Sequence, residues 1–359
     1  MTTVPSGRVK PAKKNPWSKI IFALVGIAVM VLVFAFLFPQ FGDYQTALTK
    51  VAAMGPWWIV ALGAASLANI VIYPFTGIAA IPKLSYRATF VSRQSGFLLS
   101  NVVPGGGAVA VATQYAILAK YGVNSARAAA AVSADAVFTY LFTFGTPAIA
   151  LLLLNINGQS VTAYNVLAMV GVVIVIVSLI VVITILRSED AARRIGAFVS
   201  KPVGAIFTKF KKPAPNITGS LVTFHTRASQ MIATRWPQLT IANFGAQLAP
   251  IGVLIVALAG LGAYPGDLSF LEVFAAFSIA LLLTAVPLTP GGLGTVDAAL
   301  VALLISFGLD SSTAIAADLI WRLAWFLPQL LVGLGALGLY WWDRRRQRKG
   351  HLLIDESLI

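Results

Sequence analysis

Six stretches of the chain, at about 20–38, 56–82, 128–154, 164–186, 237–263 and 314–342, are long and almost wholly apolar. Each meets the roughly 20 residues that a helix needs to cross the hydrocarbon core of a bilayer. Lipid offers no partner for backbone N–H and C=O groups, so only helices and closed barrels span it. Barrel strands alternate in polarity and lack such runs. The chain is therefore expected to be an all-α polytopic membrane protein. Composition agrees: 58% of its 359 residues are apolar and 11% charged, against about 25% charged in soluble proteins. Trp57, Trp58, Trp236, Trp341 and Trp342 stand at the ends of the runs, where interfacial anchors belong. The first run ends in Phe-Pro-Gln-Phe-Gly-Asp rather than at a small-residue cleavage site, so it reads as a retained span and not a signal peptide.

Two further segments, 88–121 and 270–308, each have two apolar arms around a breaker. The breakers are Val103-Pro-Gly-Gly-Gly107 and Pro287-Leu-Thr-Pro-Gly-Gly-Leu-Gly294. Proline removes a helical donor and glycine weakens a helix, so neither segment reads as one continuous helix. At an offset of 186 the two align without gaps: Pro104, Gly105 and Gly106 fall on Pro290, Gly291 and Gly292, Gly122 on Gly308, and Ser125 on Ser311. The pattern predicts an internal repeat.

Charge chooses between topologies. Lys and Arg total 26 against 12 Asp and Glu, a net charge of +14. If each breaker segment is a re-entrant hairpin and the N-terminus is inside, all basic residues except Lys50 and Arg322 fall on cytoplasmic stretches. If each breaker segment crosses once, the loop 187–236, with nine Lys and Arg, is exported, against the rule that basic loops stay inside. The expected architecture is thus about six full spans plus two opposed re-entrant hairpins in an inverted repeat. Its parts are a basic N-terminus (1–19), a first membrane half (20–186), a basic linker (187–236), a second half (237–342) and a basic C-terminus (343–359). Both termini face the cytoplasm of an inner membrane. The basic excess reads as loop charge, so no nucleic-acid partner is expected. The linker stretch 206–213 either lies on an anionic lipid surface or is a solvated loop.

With no Cys and two His, neither a metal site nor a haem is expected, and no cofactor motif stands in a fitting context. Gly333-Leu-Gly-Ala-Leu-Gly338 matches a dinucleotide fingerprint, but it lies inside a span and reads as a packing face. The second arm of each hairpin begins at the breaker, so its backbone N–H groups are expected to point toward mid-membrane and to favour an anion such as phosphate. Tight helix packing through small residues is the competing explanation. Charges within apolar runs are functional candidates by default. Asp318 and Arg322, four apart, are expected to form an ion pair. Asp135 is protonated or pairs across the bundle with Arg322 or Arg93. Asp297, three residues past Gly294, complements a helix dipole.

The segments Asn101-Val-Val-Pro104-Gly-Gly-Gly107 and Pro287-Leu-Thr-Pro290-Gly-Gly-Leu-Gly294, with Arg322 downstream, resemble the flippase-like transmembrane domain of lysylphosphatidylglycerol synthases and its stand-alone relatives. The likeness extends over roughly 17–343. Many relatives carry Glu or Arg where this chain has Ala108-Val-Ala-Val. The sequence shows no aminoacyl-transferase domain, so lysyl-lipid synthesis is not expected. The resemblance implies a lipid flippase, not an enzyme. Its substrate would be a polyprenyl-phosphate-linked sugar or a phospholipid, with cell-envelope glycosyltransferases as partners in the first case. The substrate-binding candidates are Arg93, Asn101, Pro104, Gly105, Gly106, Gly107, Asp135, Pro290, Gly291, Gly292, Gly294, Asp318 and Arg322. An ion- or proton-coupled transporter of a small anion and a membrane enzyme acting on lipid phosphate are the alternatives.

The charge argument is tested by Ala214→Cys, because the chain has no native Cys. The cysteine should resist an impermeant reagent in intact cells and react once the membrane is opened. Labelling from outside intact cells would overturn the inverted arrangement.

Overall fold

A computed structural model describes residues 44–103, 106–158, 173, 176–177, 179–209, 216–285 and 289–355. The expected span at 20–38, most of that at 164–186, and Pro104, Gly105 and Pro287 lie outside the described residues. Among those described the chain is helical, without strands. The elements are α1 (Tyr44–Ala52), α2 (Pro56–Ile72), α3 (Phe75–Ala80), α4 (Tyr86–Val102), α5 (Gly106–Lys120), α6 (Ser125–Ile156), α7 (Glu189–Lys209), α8 (Ile217–Gly260), α9 (Phe270–Leu281), α10 (Thr295–Ser306), α11 (Ser311–Trp321) and α12 (Leu327–Asp355). A π-helical turn, Arg322–Phe326, joins α11 to α12. Among the described residues, four helical stretches are long and apolar enough to cross a membrane: Pro56–Ala80, Ser125–Ile156, Met231–Gly260 and Ser311–Asp343. Large apolar side chains such as Trp57, Ile59, Leu67, Ile241 and Leu331 are exposed along them, as lipid-facing positions should be.

The breaker segments fold as helical hairpins. In the first, α4 packs antiparallel to α5: a Cβ on Gly96 would run into Gln114, and one on Gly106 into the Leu99 carbonyl. The second pairs α9 with α10. Arms of 15–17 residues and of 12 residues are about 18–25 Å long at 1.5 Å per residue.

The repeat is written in hydrogen bonds at the same offset. Gly122 and Gly308 both have positive φ, 79° and 109°, the left-handed geometry that ends a helix most easily at glycine. Val123 N–H returns to Leu118 O at 3.0 Å, and Leu309 N–H to Leu304 O at 3.1 Å. The next helix is then capped in each copy: Asn124 accepts from Arg127 N–H at 2.9 Å, and Asp310 from Thr313 N–H at 3.0 Å.

The long helix 311–343 orients the hairpins. The open end of the first hairpin lies at its C-terminal end, where Arg87 and Lys120 each stand 3.4 Å from Asp343. The second hairpin joins its N-terminal end through the turn at Gly308. Both tips reach the π turn near the helix midpoint: Phe97 packs on Phe326 with centroids 5.9 Å apart, and a Cβ on Gly291 would stand 2.8 Å from Phe326 Cζ. The hairpins therefore approach one level from opposite ends of the same helix.

The largest core gathers residues of α6, α8, α9, α10 and α11. Its many alanines, among them Ala257, Ala275, Ala276, Ala316 and Ala317, let helices come close where burial of apolar surface gains little over lipid. Trp321 fastens α11 to α8 by donating to the Pro250 carbonyl at 3.0 Å. The segment read as a linker is largely helical: α7 packs on the first half of α8, and α8 leaves helical geometry at Arg235 (φ −127°). Pro237 follows two residues later and cannot donate to the carbonyl one turn back.

Asp310 caps α11 and accepts from Lys50 Nζ at 3.0 Å. Partial burial pushes its carboxyl up, but hydrogen bonds from Ser312, Thr313 and Lys50 outweigh this and hold it well below the ordinary value of 3.8. A depressed carboxylate stabilises the fold fully above its ordinary value and stops doing so as the pH falls through its folded one. Asp310→Ala should lower stability in detergent by about 1–2 kcal/mol, as loss of a cap does. The gap in melting temperature between the wild type and Asp310→Ala should be constant from neutral pH down to about 5 and shrink only below the carboxylate range. A gap that closes near neutral pH would contradict the assignment.

Candidate functional site

The second tip turns on three glycines, Gly291, Gly292 and Gly294, with φ of 64°, 67° and 82°. These are conformations that glycine alone adopts without steric cost. They bring Asp297, in the first turn of α10, back over the turn. Its Oδ2 accepts from Gly294 N–H at 2.6 Å, and its Oδ1 accepts from Arg322 Nε. Arg322 and Asp297 are each 2% exposed. The guanidinium also faces the rings of Trp321, Phe326 and Trp325, at 4.8, 5.6 and 5.8 Å from their centroids. A buried ion pair offsets its desolvation cost only where further hydrogen bonds satisfy both groups, and the Gly294 amide and the aromatic faces do so here.

This corrects the expected pairing of Arg322 with Asp318. No ion pair joins them; fully buried Asp318 lies against Asp297 instead, and neither of its oxygens has a donor among the described residues. The carboxylate of Asp297, already anchored by a backbone amide, is the pre-positioned acceptor, so the guanidinium reaches across to α10. Asp318 remains in electrostatic contact with both members of the pair.

A second pair belongs to the first hairpin. Arg93 on α4 donates to Asp135 on α6 at 2.5 Å, which selects Arg93 over Arg322 as the partner of Asp135. Arg93 lies 4.3 Å above the Tyr73 ring. The pair is incompletely satisfied: Arg93 Nε and Asp135 Oδ1 are buried without partners among the described residues. Beside it is a cavity of ≈ 30 Å³ lined by Thr76, Thr89, Ser92 and Gln114 among others, room for about one or two waters. Aromatic rings connect the two cations. Tyr73 meets Phe97 at 6.4 Å, and Phe97 meets Trp325 and Phe326 at 5.9 Å each.

The tips touch each other. Asn101 donates to Phe97 O at 2.8 Å, while its Oδ1 would stand 3.2 Å from a Cβ on Gly291. The expectation of free amides at both tips needs correction. Gly106 N–H donates to Val103 O at 2.7 Å, Gly292 N–H to Thr289 O at 3.1 Å, and Gly294 N–H to Asp297. At the start of α10 a carboxylate of the protein already holds the place an anion would take. Gly106 is buried in the hairpin, whereas Gly107 is exposed, with nothing within 4 Å of an added Cβ.

Of the candidates, Asn101, Gly291, Gly292, Gly294, Asp318 and Arg322 come together at the tips, and Arg93 and Asp135 form their own centre. Asp297, Tyr73, Phe97, Trp325 and Phe326 were not among them. Asp297 stands at the third position after a helix-starting glycine, a capping signal readable in sequence. The aromatics carried none, because apolar rings in apolar runs look alike until packing separates them.

The family model described as lysylphosphatidylglycerol synthase TM region matches residues 21–333. No curated protein matches the chain.

The two tip glycines separate hairpin packing from access. Gly106→Ala drives a methyl into the Leu99 carbonyl and should cost about 1–3 kcal/mol, the usual range for overpacking. Gly107→Ala should leave the melting temperature in detergent unchanged within error. Equal effects would show that the first tip is not packed as described.

Proposed function

The chain belongs to the lysylphosphatidylglycerol synthase transmembrane family, and on that premise we propose that it moves a lipid with a phosphate-bearing headgroup between the leaflets of the cytoplasmic membrane. The observation that carries this reading is the meeting of two opposed hairpin tips at a buried arginine, halfway along the 311–343 helix. Broken helices that converge near the midplane at a repeat interface form the substrate sites of many transporters. With both hairpins re-entrant from opposite faces and both termini inside, the short arms and the charge distribution are accounted for together.

Arg322 costs roughly 2.5–3.5 kcal/mol to place at the centre of a span without a partner. Asp297 meets that need at rest. A lipid phosphate is an acceptor of the same charge and similar hydrogen-bonding geometry, and arginine binds it well. In the proposed cycle the phosphate replaces Asp297 at Arg322 while the lipid tail stays in the bilayer. Asn101, the glycine tips and the Arg93–Asp135 pair line the headgroup path. Asp318 couples this exchange to protons: its surroundings change charge whenever Arg322 changes partner. The substrate is a polyprenyl-phosphate-linked sugar or a phospholipid, and the chain translocates it without covalent chemistry.

The test is translocation of a fluorescent phosphate-bearing lipid in reconstituted vesicles. Arg322→Gln should abolish it, and Asp318→Asn should retain translocation with an altered pH profile. Unchanged translocation by Arg322→Gln would remove this residue from the transport path and leave it as a structural tie.

A further inference from the structure

Beyond the tip site lies a cavity of ≈ 690 Å³ whose lining includes Lys83, Arg127 and Arg235 and, among the described residues, no acid. Its volume falls within the range of about 300–1,000 Å³ typical of ligand pockets. The three cations come from the ends of three different spans. Lys83 follows the stretch Pro56–Ala80, Arg127 opens Ser125–Ile156, and Arg235 stands near the start of Met231–Gly260. Their convergence puts these ends on one face of the membrane, the face the basic loops assign to the cytoplasm.

Three like charges around one cavity repel one another, and none of the three has an acidic partner among the described residues. Two backbone features hold them there. Lys83 has φ of 66°, the one positive value outside glycine among the described residues, a conformation that costs a lysine of order 1 kcal/mol or more. Arg235 is the residue at which α8 leaves helical geometry, and its Nε is buried without a hydrogen-bond partner. Lys83 and Arg127 are exposed at the cavity mouth, and an anion with several acceptor oxygens would meet the clustered positive charge and the orphaned Arg235 Nε together. Thr226 adds a hydroxyl to the lining.

We infer that this cavity binds the phosphate or diphosphate group of a lipid at the cytoplasmic face, ahead of its passage to the hairpin tips. This deepens the translocation reading and rests on it for the lipid. Binding, however, is measured without translocation. A lipid headgroup and a free phosphate share the chemistry, and the arms of the experiment separate them.

The experiment uses the full chain in detergent, with inorganic pyrophosphate and short-chain phosphatidic acid as calorimetric probes. The wild type should bind both, in competition. The combined variant Lys83→Gln, Arg127→Gln, Arg235→Gln should bind at least about tenfold more weakly, as expected for loss of charge-assisted bonds. Arg235→Lys, which keeps the charge, should retain most of the affinity and guards against a folding artefact. Arg193→Gln, on an exposed ion pair, controls for net charge. Arg322→Gln should still bind pyrophosphate, which distinguishes this cavity from the tip site. Absence of binding by the wild type, or unchanged binding by the combined variant, overturns the site. Pyrophosphate binding that phosphatidic acid does not displace overturns the lipid assignment. A protein that binds both probes but moves no lipid leaves the site standing and refutes the transport reading instead.

Discussion

A guanidinium cannot sit in the middle of an apolar span unless something on a neighbouring element meets it. Arg322 is met by Asp297, whose other oxygen holds the Gly294 amide. One carboxylate thus closes the turn of the second hairpin and ties it to the long helix 311–343. The π turn that begins at Arg322 widens the helix there, and Trp321, Trp325 and Phe326 surround the cation. Phe326 in turn receives both tips, through Phe97 of the first hairpin and Gly291 of the second. The relation between the hairpins, and hence the candidate site, follows from how that charge is satisfied.

The two halves repeat each other at their turns and differ in their charges. The helix-ending glycines and the capping residues Asn124 and Asp310 correspond position for position. The ion pairs do not. In the first half the arginine lies on the first arm of the hairpin and its aspartate on the following helix. In the second half the aspartate lies on the second arm and the arginine on the following helix. One pair is saturated, while the other keeps an orphaned nitrogen and an orphaned oxygen. The scaffold repeats, while its polar centres are unequal.

Charge also explains its own exceptions. Lys50 and Arg322, the two basic residues outside the stretches expected to be cytoplasmic, each have an aspartate, Asp310 and Asp297. Lys83, Arg127 and Arg235 line one cavity and have no acidic partner among the described residues.

Periodicity, breakers and charge were legible in the sequence because each acts locally. A run of some 20 apolar residues answers to the thickness of lipid, Pro-Gly-Gly to backbone sterics, and a basic loop to the side of the membrane that retains it. These determined the all-helical membrane class, the helix breaks at the two Pro-Gly-Gly segments and the family. The partners of the buried charges were not legible. Asp318 is nearer to Arg322 along the chain than Asp297 is, and four-residue spacing favours it, yet the pair forms across two helices. Asp135 had two candidate arginines and no local signal to choose between them. The cavity of Lys83, Arg127 and Arg235 joins residues from three distant segments. Each of these depends on which helix faces which, and only the tertiary structure decided them, because a buried guanidinium is met by the carboxylate that packing aims at it and not by the one nearest in sequence.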